Sequence, residues 1–174
     1  MNRPTNQRPI AFIPSQNWKI LSKTISQKLR KNKVPKVFFD TSVLFSAIYS
    51  QTGGSYQICR LVKKGEIEGY TTETVIKELQ NNILKFSQKT KKNLESFIAN
   101  HKFIVRSEIT ERETRPYLKI IVDKDAHVLA GATLCKCDYL LTLDKKHLNN
   151  EQIKERFTKA IITSPKKFLE YFRK

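Results

Sequence analysis

The sequence predicts an α/β protein, a three-layer α/β/α sandwich around a central, mainly parallel sheet. Two observations carry this prediction. From Val34 onward, short apolar runs of strand length alternate with longer stretches of helical periodicity. Strands separated by helices pair in parallel, and a parallel sheet needs helices over both faces. A length of 174 residues suits one domain with a well-buried core plus an appended segment. We place that segment at residues 1–35 and the domain at 36–174.

The elements follow in order. Val37-Phe38-Phe39 is a buried strand, and Thr41 to Ile48 continues it as a helical pattern that Gln51-Thr52-Gly53-Gly54 breaks. Ser55 is the expected cap of a helix running to Lys64 with Ile58, Leu61 and Val62 on one face, ended by Gly65. Tyr70-Thr71 is a short second strand, and Thr72 caps a helix turning Val75, Ile76 and Leu79 inward. A helix over 89–100 buries Leu94, Phe97 and Ile98, and Phe103-Ile104-Val105 forms a third strand. Residues 106–122 are charged and ambiguous, with Pro116 interrupting any helix. Asp125 to Leu134 is a small-residue helix able to pack closely. Tyr139–Thr142 and Ala160–Ile162 are further strands. Ser164-Pro165 pairs a cap with proline at the first helical position, opening a last helix with Phe168, Leu169 and Phe172. Those apolar positions serve either the core or a homodimer.

Charge is the unusual bulk property. Lys and Arg outnumber Asp and Glu by 33 to 16, a formal net charge of +17. Such a balance attracts nucleic acid or an anionic membrane surface. No run approaches the ~20 apolar residues of a membrane span. Residues 1–36 hold nine basic side chains and no acid; without them 24 basic side chains still face 16 acidic ones. Trp18, Leu21, Ile25 and Leu29 give residues 17–30 the spacing of a basic amphipathic helix. It reads as a helix packed on the domain with some RNA contact; an RNA-gripping arm and an organelle transit peptide stay open beside that. Cys59, Cys135 and Cys137 are odd in number and lack zinc spacing, so they read as reduced thiols of the cytoplasm.

Against this basic background four acids fall at the edges of hydrophobic segments: Asp40, Glu78, Asp125 and Asp144. In an open α/β sheet, ligands bind outside the carboxyl ends of the strands. Asp40 directly follows the first strand and Asp144 lies just past the Leu-Leu-Thr strand, which puts both on that edge. Glu78, in the second turn of its helix, and Asp125, at the start of another, can reach the same rim. Converging carboxylates repel unless a hard cation neutralises them. A cation held by acids inside a basic surface suits a metal-dependent enzyme acting on a polyanion. Asp138 precedes its strand and belongs at the opposite edge. Asp123 points away from Asp125 on the same helix and takes an outer or surface role. His127 reads as structural, and His101 and His147 form no pattern. Tyr49 and Tyr56 are packing residues, with base stacking the alternative.

In order along the chain, Val37–Leu44 (VFFDTSVL), Glu78-Leu79 in VIKEL, Asp125–Ala132 (DAHVLAGA) and Leu141–Asp144 (LTLD) resemble the four motifs of the PIN-domain family of metal-dependent ribonucleases. The resemblance covers roughly residues 36–172. It implies Mg2+ or Mn2+ bound directly by Asp40 and Asp125, with Asp125 capping its helix. Glu78 would be a ligand or a water-orienting base, Asp144 a ligand to a second ion or through water, and Thr142 a hydrogen-bonding neighbour. Lys145 and Lys146 are placed to hold substrate phosphates. The implied activity is endoribonucleolytic. Two settings remain open: a toxin held by an antitoxin protein, and a constitutive RNA-processing enzyme. A non-catalytic RNA-binding or scaffolding domain is the alternative, though four acids facing RNA would hinder mere binding. A haloacid-dehalogenase-type phosphatase needs a second Asp where Ser42 stands, and no glycine-rich phosphate loop follows any strand.

Overall fold

The computed structural model describes residues 33–84 and 90–172. Five strands form one sheet in the order β3-β2-β1-β4-β5: β1 (Lys36–Phe39), β2 (Glu68–Thr72), β3 (Ile104–Arg106), β4 (Tyr139–Leu141) and β5 (Ile161–Thr163). All four pairings are parallel. The central strands are the most apolar for a physical reason. Val37, Phe38, Phe39, Leu140 and Leu141 are fully buried, as strands covered on both faces must be. At the sheet edge, Ile104 and Val105 of β3 are exposed.

The connections are α1 (Thr41–Tyr49), α2 (Gly54–Lys64), α3 (Glu73–Leu84), α4 (Thr90–Asn100), the short α5 (Glu111–Thr114) with a 3-10 turn over Arg115–Tyr117, α6 (Asp123–Leu134), α7 (Glu151–Arg156) and α8 (Pro165–Phe172). Helix α1 packs on both α2 and α3, α3 packs on α4 and α8 packs on α2, whereas α6 packs with α5 and the 3-10 turn and lies against β1 and β2. Right-handed crossovers put these two groups on opposite faces, which gives the sandwich. None of the described helices is long and apolar enough to cross a membrane.

Several local expectations shift. Helix α2 starts at Gly54 with Gly53 as its N-cap, so Ser55 is a buried residue inside the first turn and not the cap. At the other end Gly65 adopts φ 74° and its N–H returns to the carbonyls of Leu61 and Val62, a left-handed stop that glycine enters without strain. Thr72 does cap α3, its Oγ1 accepting from the Val75 N–H at 3.3 Å, and Ser164 Oγ accepts from the Lys167 N–H at 3.3 Å. Strand β3 begins one residue later than Phe103, because Phe103 turns into the core edge-on to Phe39, with ring centroids 4.8 Å apart. Helix α6 begins at Asp123 after Val122 as N-cap, so Asp125 sits in the first turn and caps nothing. Helix α7 is an addition: Asn150 Oδ1 accepts from the Ile153 N–H at 3.0 Å. Phe168 faces the core, edge-on to Tyr139. Tyr49 lies against Phe45, and Tyr56 against Phe97 and His101. The amphipathic pattern at 17–30 and the helix start at Lys89 lie outside the described residues. The cysteines are free, and burial pushes the Cys59 thiol up to about 12.

Helix α6 lies close on the sheet at Gly131. A Cβ there would meet Phe38 Cζ at 2.6 Å and Thr72 Cγ2 at 3.1 Å, and the Phe38 ring is fully enclosed. Alanine normally gains about 1 kcal/mol over glycine in a helix; overpacking a core costs about 1–3 kcal/mol. Overpacking should win, so Gly131→Ala is expected to lower the midpoint of urea unfolding.

Candidate metal centre

The sheet reverses its winding between β1 and β4: the chain moves outward from β1 through β2 to β3, then returns to place β4 on the other side of β1. Ligands of open α/β sheets bind at such a switch point. Phe39 pairs with Leu141, and the ladder runs one step further, the Asp40 N–H donating to the Leu141 carbonyl at 3.1 Å. Asp40 and Thr142 therefore leave adjacent strands side by side at the crevice.

Asp40 is fixed by two hydroxyls. Ser42 Oγ and Thr142 Oγ1 both donate to its Oδ2, each at 2.7 Å. Each hydroxyl in turn accepts a backbone N–H from the segment after β4, Leu143 to Ser42 at 3.0 Å and Asp144 to Thr142 at 3.0 Å. Two relays thus tie a strand-end carboxylate to the opposing loop. Burial pushes the Asp40 carboxyl up, Glu78 adds to the rise, and the two hydroxyls oppose it.

Glu78 reaches the same place from α3. Its Oε2 accepts from Thr41 Oγ1 at 2.6 Å and stands 3.5 Å from His127 Nε2, close enough for an ion pair though not aligned as a hydrogen bond. The His127 imidazole, then Thr41, hold the Glu78 carboxyl below its usual range against the opposing pull of burial. For His127, burial favours the neutral ring, but Glu78 and Asp40 outweigh it and raise the imidazole above its ordinary value.

Asp125 and Asp144 complete the rim. Asp144 Oδ1 accepts the backbone N–H groups of Lys146 at 2.9 Å and His147 at 2.8 Å, and its Oδ2 lies 2.9 Å from His147 Nδ1. Burial would raise this carboxyl, yet the donors from His147 and Lys146 bring it below its usual range. Asp125 has no such support. Its Oδ2 is buried without a hydrogen-bond partner, and burial, then Asp144 and Glu78, push its carboxyl up while Lys124 and His147 pull it down. Donor atoms of Asp125, Asp144 and His147 lie within 4.8 Å of one another.

All four predicted acids thus belong to one electrostatic neighbourhood, linked through Glu78, which acts on both Asp40 and Asp125. Three residues join them that the sequence reading left out or assigned to structure: Ser42, His147 and His127. Asp123 is exposed at the start of α6. Asp138 accepts the Lys36 N–H at 2.9 Å at the opposite edge, and Lys145 and Lys146 are exposed beside Asp144. A divalent ion fits these residues on two grounds. The carboxylates are hard oxygen donors, and the unpartnered Asp125 oxygen is a costly buried anion that a cation would relieve.

One consequence concerns stability without metal. Asp125 has a raised folded pKa, so its contribution to stability is full below the unfolded value and is lost as pH rises through the folded one. At neutral pH the charge works against the fold. Asp125→Asn in EDTA is expected to raise the melting temperature at neutral pH, by about 2–4 °C for each kcal/mol relieved, with the gain shrinking as pH falls through the raised folded-state pKa and gone below the ordinary carboxylate value.

A search of curated proteins finds no match. Among solved structures, VapBC2 from Rickettsia felis, bound to a DNA fragment from its promoter, is similar with a TM-score of 0.54 at 18% identity, covering 74% of this chain and 98% of that one. That likeness is one of fold. Residues 36–146, more than half of the chain and inclusive of all four acid-bearing segments, match the PIN-domain family, and to that family the chain belongs.

Proposed function

We propose that the chain is a divalent-metal-dependent endoribonuclease that hydrolyses RNA phosphodiester bonds. The observation that carries this reading is the unpartnered, buried Asp125 oxygen among three further carboxylates at the switch point of the sheet. PIN domains are generally nucleases, and a formal net charge of +17 favours a polyanionic substrate.

In this reading Asp40 and Asp125 would hold Mg2+ or Mn2+ directly, and Asp144 would hold the same or a second ion. When bound, the cation supplies a Lewis acid for the phosphodiester and eases ionisation of the attacking water. The chain does the rest. Thr142 and Ser42 keep Asp40 in one rotamer, so the carboxylate needs no reorganisation on binding. Glu78, with 45% of its side chain exposed, is the acid open to water, and the Thr41 hydroxyl and His127 keep it ionised. It orients the water and accepts its proton. Lys145 and Lys146 hold flanking phosphates on the rim.

The partner class is RNA, and we propose an antitoxin protein as regulator, with the chain as the toxin. The support is the shared fold with VapBC2, a protein seen on promoter DNA. The three free cysteines favour a cytoplasmic setting.

Purified protein incubated with single-stranded and structured RNA should cleave in Mg2+ or Mn2+ and stop in EDTA. Asp40→Asn should lose activity by about 10²-fold or more. Cleavage surviving both EDTA and the substitution would overturn the metal reading. Binding of RNA with no cleavage under any divalent ion would leave a scaffolding domain.

A further inference from the structure

We infer that His147 is itself a ligand of the cation, making the centre a mixed oxygen–nitrogen site that prefers Mn2+ to Mg2+. The inference rests on the metal-dependent reading above and concerns which ion this chain takes.

The local chain geometry delivers the imidazole to the site. After β4, the Asp144 carboxylate folds the backbone back on itself by accepting the N–H groups of Lys146 and His147 on Oδ1, a turn in which a short acid bonds its own backbone two and three residues on. That turn commits Oδ1 to the backbone and leaves Oδ2 to the His147 ring carried beside it. Nδ1 stands 2.9 Å from Oδ2. Adjacent donors around an octahedral ion with bonds of ~2.1 Å are about 3.0 Å apart, so this separation is already that of neighbouring ligands. The third donor comes from Asp125, within 4.8 Å of the other two, and Asp125 Oδ2 has no hydrogen-bond partner. Donors opposite each other on such an ion are about 4.2 Å apart, so Asp125 closes in by up to an ångström or two to complete the set on one ion.

Chemistry then decides the ion. Mg2+ takes carboxylate, carbonyl and water oxygens and gains little from imidazole, whereas Mn2+, though the weakest binder of the first transition series, takes the same oxygens and accepts an imidazole nitrogen more readily. A plain orienting role would have His147 donate Nδ1–H to Asp144 and support binding of either ion equally. Ligation makes the contribution selective.

The test titrates metal-free full-length protein with Mn2+ and with Mg2+ by calorimetry, for wild type and His147→Ala, and records pulsed electron paramagnetic resonance of the Mn2+-loaded wild type. The expected result is a directly bonded nitrogen coupled to Mn2+, absent from His147→Ala. Mn2+ affinity should fall by about tenfold or more, and Mg2+ affinity by clearly less. The spectrum needs no variant, so poor folding of His147→Ala would not protect the idea. An equal fall for both ions, an unchanged Mn2+ affinity, or no nitrogen coupling in the wild type would overturn it while leaving the nuclease reading intact. A wild type that binds neither ion would overturn both.

Discussion

Mutual repulsion among carboxylates gathered at the carboxyl end of a parallel sheet is the constraint around which this molecule is arranged. The chain manages it unevenly. Asp40 is stabilised by two hydroxyls, Glu78 by a hydroxyl and an imidazole, and Asp144 by two backbone amides and a second imidazole. Asp125 alone has a buried oxygen without a partner. A fold that spends so many donors on three acids and none on the fourth oxygen is incomplete without a positive charge. The same low-dielectric crevice that makes the unpaired oxygen costly would strengthen its attraction to a cation.

The sheet makes this gathering possible. Parallel pairing in register sets Asp40 and Thr142 next to each other, and the reversal of winding between β1 and β4 opens a crevice at their end of the strands. Helix α6 brings Asp125 in by lying close on the sheet, an approach that Gly131 permits and a methyl group would block. Its buried face of Ala126, Ala130, Gly131 and Ala132 is therefore part of how the site is positioned as well as of how the core packs.

Much of this was legible in the sequence because strand ends and caps are local. The runs Val37–Phe39 and Tyr139–Leu141, the cap at Thr72 and the glycine stop at Gly65 are set by neighbouring residues, and they locate the acids on one edge. What was not legible depended on contacts across about fifty to a hundred residues. Ser42 joins the site through a partner at Thr142, and His127 through Glu78 on another helix; a single histidine on a helix face gives no sign of either. His147 lies closer in sequence, since an acid can bond the backbone of a residue three positions on, but nothing in Asp144-Lys145-Lys146-His147 by itself says that this turn forms. Helix α7 went unseen because one buried residue, Ile153, makes no periodicity.

If the four acids form a cation site, binding of the ion must show in the stability of the fold. An ion that binds only the folded state raises the melting temperature in proportion to its affinity. Comparing millimolar Mn2+ with EDTA, the wild type should gain several degrees, about 2.7 kcal/mol at a hundredfold excess over Kd, and the Asp40→Asn/Asp125→Asn double variant should gain none. An equal gain in both proteins, or no gain in the wild type, would mean that these acids hold no cation.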